Sequence, residues 1–233
     1  MFTRTAWRSF AAKTAAWSGA GFLLAAPAVA APTNSGPARW EAEIHAFEAS
    51  DATNPPPRGA IVFVGSSSIR QWITLAQDFP GFKVINRGFG GSQLEDSAAF
   101  AHRLVIPHQP KAVVLYAGDN DIAAGKSPRR VLQDFRRFVE RIHAALPQTR
   151  ILFISIKPSP ARWHLVNEIK AANQMLENFC QKDKRLVYVD VFKSMLGADG
   201  KPRAELFVED KLHLNRKGYE LWASILRPRL LME

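Results

Sequence analysis

The sequence predicts a three-layer α/β/α sandwich around a mostly parallel, five-stranded sheet. Three observations carry that expectation. Between Ala60 and Val189 five short runs rich in Val, Ile, Leu and Phe recur, with amphipathic segments between and after them. The runs are almost continuously apolar, as strands covered on both faces are, and strands that alternate with helices build parallel sheets. With 233 residues and 47% hydrophobic content, the chain can bury one sizeable core, so a single domain is the expectation.

The first thirty residues stand apart from that domain. In MFTRTAWRSFAAKTAAWSGAGFLLAAPAVA, Arg4, Arg8 and Lys13 precede an Ala/Gly/Leu stretch that ends in Ala28, Val29 and Ala30. This is the layout of a secretory signal peptide cleaved after Ala30. Its apolar core, interrupted by Ser18 and Gly19 and ended by Pro27, is too short to span a bilayer. The mature chain is therefore expected to be exported, periplasmic or extracellular, without stable membrane insertion. Residues 31–58 read as a linker, APTNSGPAR, followed by a helix, RWEAEIHAFEAS, and a proline loop, and residues 59–233 as the domain.

Within the domain the strands are expected at Ala60 to Val64, Phe82 to Asn86, Ala112 to Ala117, Ile151 to Ile156 and Leu186 to Val189. The clearest helices are Pro128 to Leu146, about Ala161 to Cys180, and Asn215 to Leu226. Lysine and arginine exceed aspartate and glutamate by ten, and by seven once Arg4, Arg8 and Lys13 leave with the leader. In the densest basic run Val131, Leu132, Phe135, Phe138, Val139 and Ile142 recur at helical spacing with arginines opposite, which describes a solvated helix face and not a nucleic-acid patch. Cys180 is the only cysteine, so no internal disulfide forms, and its helical context makes it a core thiol.

Parallel sheets bind ligands outside the carboxyl ends of their strands. There the sequence places GSSS after the first strand, NRGFGGSQ after the second, AGDND after the third and KPSPARW after the fourth; VEDKLHLN lies near the C-terminus. Singly, each is ambiguous: GFGGSQ could be a phosphate loop, though it lacks the third glycine of the dinucleotide fingerprint, and GDND could be a turn or a magnesium site. Asp210 and His213 are spaced so that both side chains emerge on one side of a turn, where the carboxylate can hold the imidazole tautomer. Among the six histidines, this one alone has such a partner in the sequence reading. An acyl-transfer site needs a nucleophile, a base, a group that orients the base, and donors for the oxyanion, and the strand-end segments hold candidates for each.

Four of these blocks, GSSS, NRGFGGS, GDND and DKLH, in this order, resemble the SGNH (GDSL) esterases and lipases, especially the branch resembling the platelet-activating-factor acetylhydrolase subunits. The resemblance covers roughly Ala60 to the end. It implies a flavodoxin-like SGNH hydrolase fold and places the nucleophile on Ser67 of GSSS. It further implies oxyanion donors at the Ser67 and Gly91 N–H groups and the Asn120 side chain, with Asp210 and His213 completing a Ser-His-Asp triad. Ser66 stands where the family usually has aspartate, and Ser92 where an acid often follows the second-block glycine. With Ile69 in place of a second glycine, the Gly-x-Ser-x-Gly elbow is absent, which argues against an ordinary α/β-hydrolase. Ser66 and Ser68 are expected to support the turn and cap the helix, Trp163 to wall the pocket or fill the core, and Arg87 to meet an anionic group or lie at the surface.

The implied activity is that of an exported esterase acting on short-chain acyl or acetyl esters of small molecules or glycans, with no metal or cofactor. O-acyl transfer or deacetylation on envelope or plant polysaccharide, and a non-catalytic ligand-binding relative, are the alternatives. A metal phosphohydrolase using Asp119 and Asp121 would leave Ser67 and His213 unexplained.

Overall fold

The computed structural model describes residues 36–231, so the expected leader and its cleavage point lie outside the described residues. The five strands, β1 (Ile61–Gly65), β2 (Val84–Gly88), β3 (Ala112–Tyr116), β4 (Arg150–Ile154) and β5 (Leu186–Val189), form one sheet in the order β2-β1-β3-β4-β5. All four pairings are parallel. Every residue of β1 and β3 is buried, which is why these runs show no polar alternation.

Because side chains alternate along a strand, each strand feeds two cores. On one face Val62, Val64, Val113, Leu115, Ile151 and Phe153 pack with residues from α1 (Glu41–Thr53), α4 (Leu94–Leu104), α6 (Pro128–Ala145) and α7 (Val166–Cys180). On the other, Phe63, Val114, Tyr116, Leu152 and Ile154 pack with α2 (Ser67–Arg70), α3 (Leu75–Asp78) and α8 (Arg216–Leu231). The remaining short helix, α5 (Asp119–Ala123), follows β3 directly. Helix α1 joins the first core through Ile44, and Arg103 ties it down by hydrogen bonds to Glu41 and Glu48. Among the described residues no helix is long and apolar enough to cross a membrane.

Boundaries shift where local polar chemistry intervenes. β2 starts at Val84 because Phe82 N–H closes a turn onto Phe79 O, and it ends at Gly88, in register with Gly65. β4 ends at Ile154 because the next residues turn to other partners: the Ser155 hydroxyl accepts Val191 and Phe192 N–H, and Ile156 N–H goes to Asn173 Oδ1. The expected helix from Ala161 splits into a 3₁₀ turn, Pro160–Leu165, and α7, with non-helical backbone at Arg162 (φ −116°). Helix α8 runs past Pro228 to Leu231, five residues beyond the expected end at Leu226. Cys180 is buried as expected, and desolvation raises its thiol pKa to about 12.

Helix α8 is fastened to α3 by one buried carboxylate. Asp78, 2% exposed, accepts both ends of the Arg216 guanidinium at 2.6 Å, with Trp72 Nε1 and Thr74 Oγ1 donating at 2.7 Å. Burial opposes its ionisation, but the Arg216, Trp72 and Thr74 hydrogen bonds win and bring its pKa down to about 2. A carboxyl that binds its proton less tightly when folded contributes stability at neutral pH and loses it as pH falls from about 4 to about 2, here about 2 kcal/mol. In urea titrations across pH, Asp78→Asn should be less stable than wild type at pH 7 by that amount, with the gap closing below pH 4. A gap unchanged at pH 2 would show that ionisation of Asp78 is not what the variant removes.

Candidate active site

The three serines after β1 meet different fates. Ser66 and Ser68 are fully buried, and only Ser67 reaches the surface. Contrary to expectation, neither neighbouring hydroxyl caps α2. Ser66 Oγ is buried without a hydrogen-bond partner among the described residues, and Ser68 Oγ accepts from Lys157 Nζ at 3.3 Å. The turn is held by the backbone instead: Ser66 N–H donates to Tyr116 O at 2.9 Å, and Ile69 and Arg70 N–H fold back onto Ser66 O. A second anchor comes from α8, whose Tyr219 hydroxyl donates to Ser68 O at 3.0 Å.

Opposite Ser67 stands His213, whose Nε2 lies 2.9 Å from Ser67 Oγ across 146 positions of sequence. Its Nδ1 lies 2.5 Å from Asp210 Oδ2. Asp210 Oδ1 meanwhile accepts Leu212 and His213 N–H at 2.8 and 2.9 Å, so one carboxylate shapes the turn and orients the ring together. Lys211 takes the left-handed conformation that this tight turn demands (φ 57°). Burial opposes ionisation of Asp210, yet the side-chain and backbone hydrogen bonds from His213 and Leu212 lower its pKa to about 2. With Nδ1–H donated to a carboxylate, Nε2 is left to accept the Ser67 hydroxyl proton. The site is open to water, since His213 is 22% and Asp210 47% exposed.

The other histidines make no comparable chain. His45 does have carboxylate neighbours, Glu41 and Glu48, which the sequence reading did not count, but they flank it on the exposed face of α1. His108 is buried 3.6 Å from Asp51, and burial lowers its pKa.

The remaining predicted donors lie on the neighbouring loops. Gly91 is exposed with φ +75°, and the loop that carries it is tied to the turn after β1 by Phe89 N–H donating to Gly65 O. The N–H groups of Ser67 and Gly91 make no hydrogen bond among the described residues. Asn120 Nδ2 donates to Ser92 O at 3.0 Å, which sets the Asn120 amide against the residue after Gly91.

The acids around Asn120 face apart. Asp121 turns to α4, accepting Leu94 N–H at 3.1 Å and facing Lys126 at 3.3 Å; burial pushes its pKa up to about 6 against both. Asp119 turns inward to Lys157 and Arg162. Burial opposes its charge too, but those two cations hold its pKa below the usual carboxylate range. Among the described residues no group of three or more His, Cys, Asp or Glu is placed to hold a metal ion.

Lys157, Arg162 and Tyr116 are site neighbours that sequence reasoning missed. Lys157 is 1% exposed and donates to Asp119 Oδ2 at 2.8 Å and to Tyr116 Oη at 3.0 Å. A lysine ending the apolar run ILFISIK was the available signal. Arg87, by contrast, is neither at the surface nor free for a ligand: it is buried, paired with Asp51 and stacked over Phe47. Trp163 is half-buried against the first core.

A parallel α/β/α sandwich with hydroxyl, imidazole and carboxylate aligned beyond its strand ends defines a hydrolase of the esterase type. The chain belongs to the GDSL-like lipase/acylhydrolase family, whose profile matches residues 57–221. Its fold is similar to that of a Streptococcus pneumonia protein provisionally assigned to platelet activating factor (19% identity, TM-score 0.74, covering 82% of this chain and 93% of that one). It is also similar to a GDSL-like lipase from Bacteroides thetaiotaomicron (20% identity, TM-score 0.70, 81% and 97% covered). A family 3 carbohydrate esterase from Clostridium thermocellum shares the fold at 15% identity (TM-score 0.58, 72% and 93% covered). No curated protein matches the chain.

The turn after β1 makes a direct steric prediction. A Cβ on Gly65 would lie 1.9 Å from Tyr116 O, and its φ of +132° is one that side chains rarely adopt. Gly65→Ala should therefore lower the free energy of unfolding by about 3 kcal/mol or more. A urea midpoint equal to wild type would refute the close approach.

Proposed function

We propose that the protein is an exported serine esterase that hydrolyses short-chain acyl or acetyl esters through an acyl-enzyme. The observation that carries this reading is the continuous chain from Ser67 Oγ through His213 to the Asp210 carboxylate, at 2.9 and 2.5 Å. His213 Nε2 takes the Ser67 proton as Oγ attacks the ester carbonyl, and Asp210 stabilises the imidazolium. The Ser67 and Gly91 N–H groups and the Asn120 amide receive the oxyanion. Collapse of the tetrahedral intermediate expels the alcohol with the proton from His213, and water repeats the sequence on the acyl-Ser67 ester.

Exposure of the Asp210–His213 end of the site favours small acyl groups on water-soluble alcohols, and the carbohydrate-esterase likeness makes acetylated sugars the natural second substrates. Export rests on the first thirty residues. Sequencing the mature protein from its native host should find Ala31 at the N-terminus; an intact Met1 would remove export from the proposal.

The deciding experiment is release of p-nitrophenol from acetyl through decanoyl esters. Wild type should be fastest on the acetyl ester, and Ser67→Ala and His213→Ala, with unchanged thermal midpoints, should lose activity by a factor of about 10³ or more. Asn120→Ala should lose about a hundredfold in kcat while remaining folded. Full activity in Ser67→Ala would end the proposal.

A further inference from the structure

Resting on that esterase reading, we infer that Arg162 is a positioning residue, which locks the Asn120 amide with an N–H turned to the reacting carbonyl oxygen. An asparagine amide has a donor end and an acceptor end of nearly equal size, so only its partners decide which end faces a site. Arg162 Nη2 donates to Asn120 Oδ1 at 2.9 Å, and a guanidinium has no acceptor to offer the other end. On the far side Asn120 Nδ2 donates to Ser92 O at 3.0 Å, and a carbonyl has no proton to give. A flipped amide would break both contacts and set two acceptors against each other at Ser92. Nδ2 carries two hydrogens, and one goes to Ser92; the second remains for the oxyanion.

Arg162 is itself held in place. Its Nη1 lies 3.0 Å from Asp119 Oδ2, as an ion pair without hydrogen-bond alignment. Asp119 in turn receives Lys157 Nζ, which also donates to Ser68 Oγ beside the nucleophile. Polar contacts therefore run from Ser68 through Lys157, Asp119, Arg162 and Asn120 to Ser92, joining the residue after the nucleophile to the residue after Gly91. The backbone adds a third tie, because Ala161 N–H donates to Lys211 O inside the Asp210–His213 turn. The residue type also fits the task, since the rigid fork of arginine reaches acceptors on two consecutive residues at once, which a lysine's single ammonium does less well.

A double-mutant cycle on p-nitrophenyl acetate tests this. The proteins are wild type, Arg162→Met, Arg162→Lys, Asn120→Ala and the Arg162→Met/Asn120→Ala double variant, each with its thermal midpoint measured. If Arg162 acts through Asn120, Arg162→Met lowers kcat by about tenfold or more with KM within about twofold, and Arg162→Lys recovers part of the loss. In the Asn120→Ala background the same change costs under about twofold, because the group it positions is gone. Losses that multiply, a change confined to KM, or an unchanged kcat in Arg162→Met would overturn the inference while leaving the esterase reading intact. Should Arg162→Met fail to fold, Arg162→Lys in the two Asn120 backgrounds closes the same cycle. A wild type inactive on every ester would remove the esterase reading, and this inference with it.

Discussion

The site depends on how closely the chain approaches itself at the end of β1. Gly65 lies against the end of β3 and Gly88 against the end of α2, where an added Cβ would meet Tyr116 O at 1.9 Å and Arg70 N at 2.1 Å respectively. Two missing side chains let the turn that carries Ser67 sit between the ends of β2 and β3, the neighbours of β1 in the sheet. With that space closed, Ser66 and Ser68 are fully buried and Ser67 is the residue left facing out. Placement of the hydroxyl thus follows from backbone sterics before any hydrogen bond is counted.

The partner of Ser67 comes from far along the chain, and its placement rests on polar anchors. Asn215, two residues after His213, donates through Nδ2 to Glu205 O and Phe207 O and accepts Gly218 N–H, fixing the entry to α8. Arg216 then locks onto Asp78, and Tyr219 onto Ser68 O. The stacked Trp72 and Tyr219 rings and the Tyr116 and Trp222 pair fill the space between these anchors. Imidazole and hydroxyl are therefore set by the same helix, from its first turn outward. That explains how a 2.9 Å contact is held in a site so open to solvent.

Much of this was legible in the sequence, for identifiable reasons. Five strands buried on both faces leave continuous apolar runs, and small or polar residues crowd at their ends, so the sheet and the edge that carries the candidate site could be read directly. What periodicity reports, however, is which face a residue occupies within its own element. It carries no distance between elements, so the meeting of Lys157 with Asp119, 38 positions apart, left no periodic trace. Lys157 and Arg162 were visible only as cations in a strand-end loop, and cations are ordinarily solvated. Arg87 misled for the same reason, because Asp51, the group that neutralises it, lies 36 positions away on α1.

The departures at Ser66 and Ser92 bear on how the family's site tolerates change. Both hydroxyls are buried without hydrogen-bond partners among the described residues, so neither stands in for a carboxylate by bonding as one. The turn around Ser66 survives because its backbone groups, not its side chain, make the contacts. The buried charge of this site lies instead on Asp119, balanced by Lys157 and Arg162, and is connected to the turn through Ser68. A buried carboxylate without such partners would be expelled or neutralised, so these three residues stand or fall together. Loss of the family's aspartate therefore removes a side chain, but leaves intact the backbone that aims Ser67 and the network that reaches Asn120.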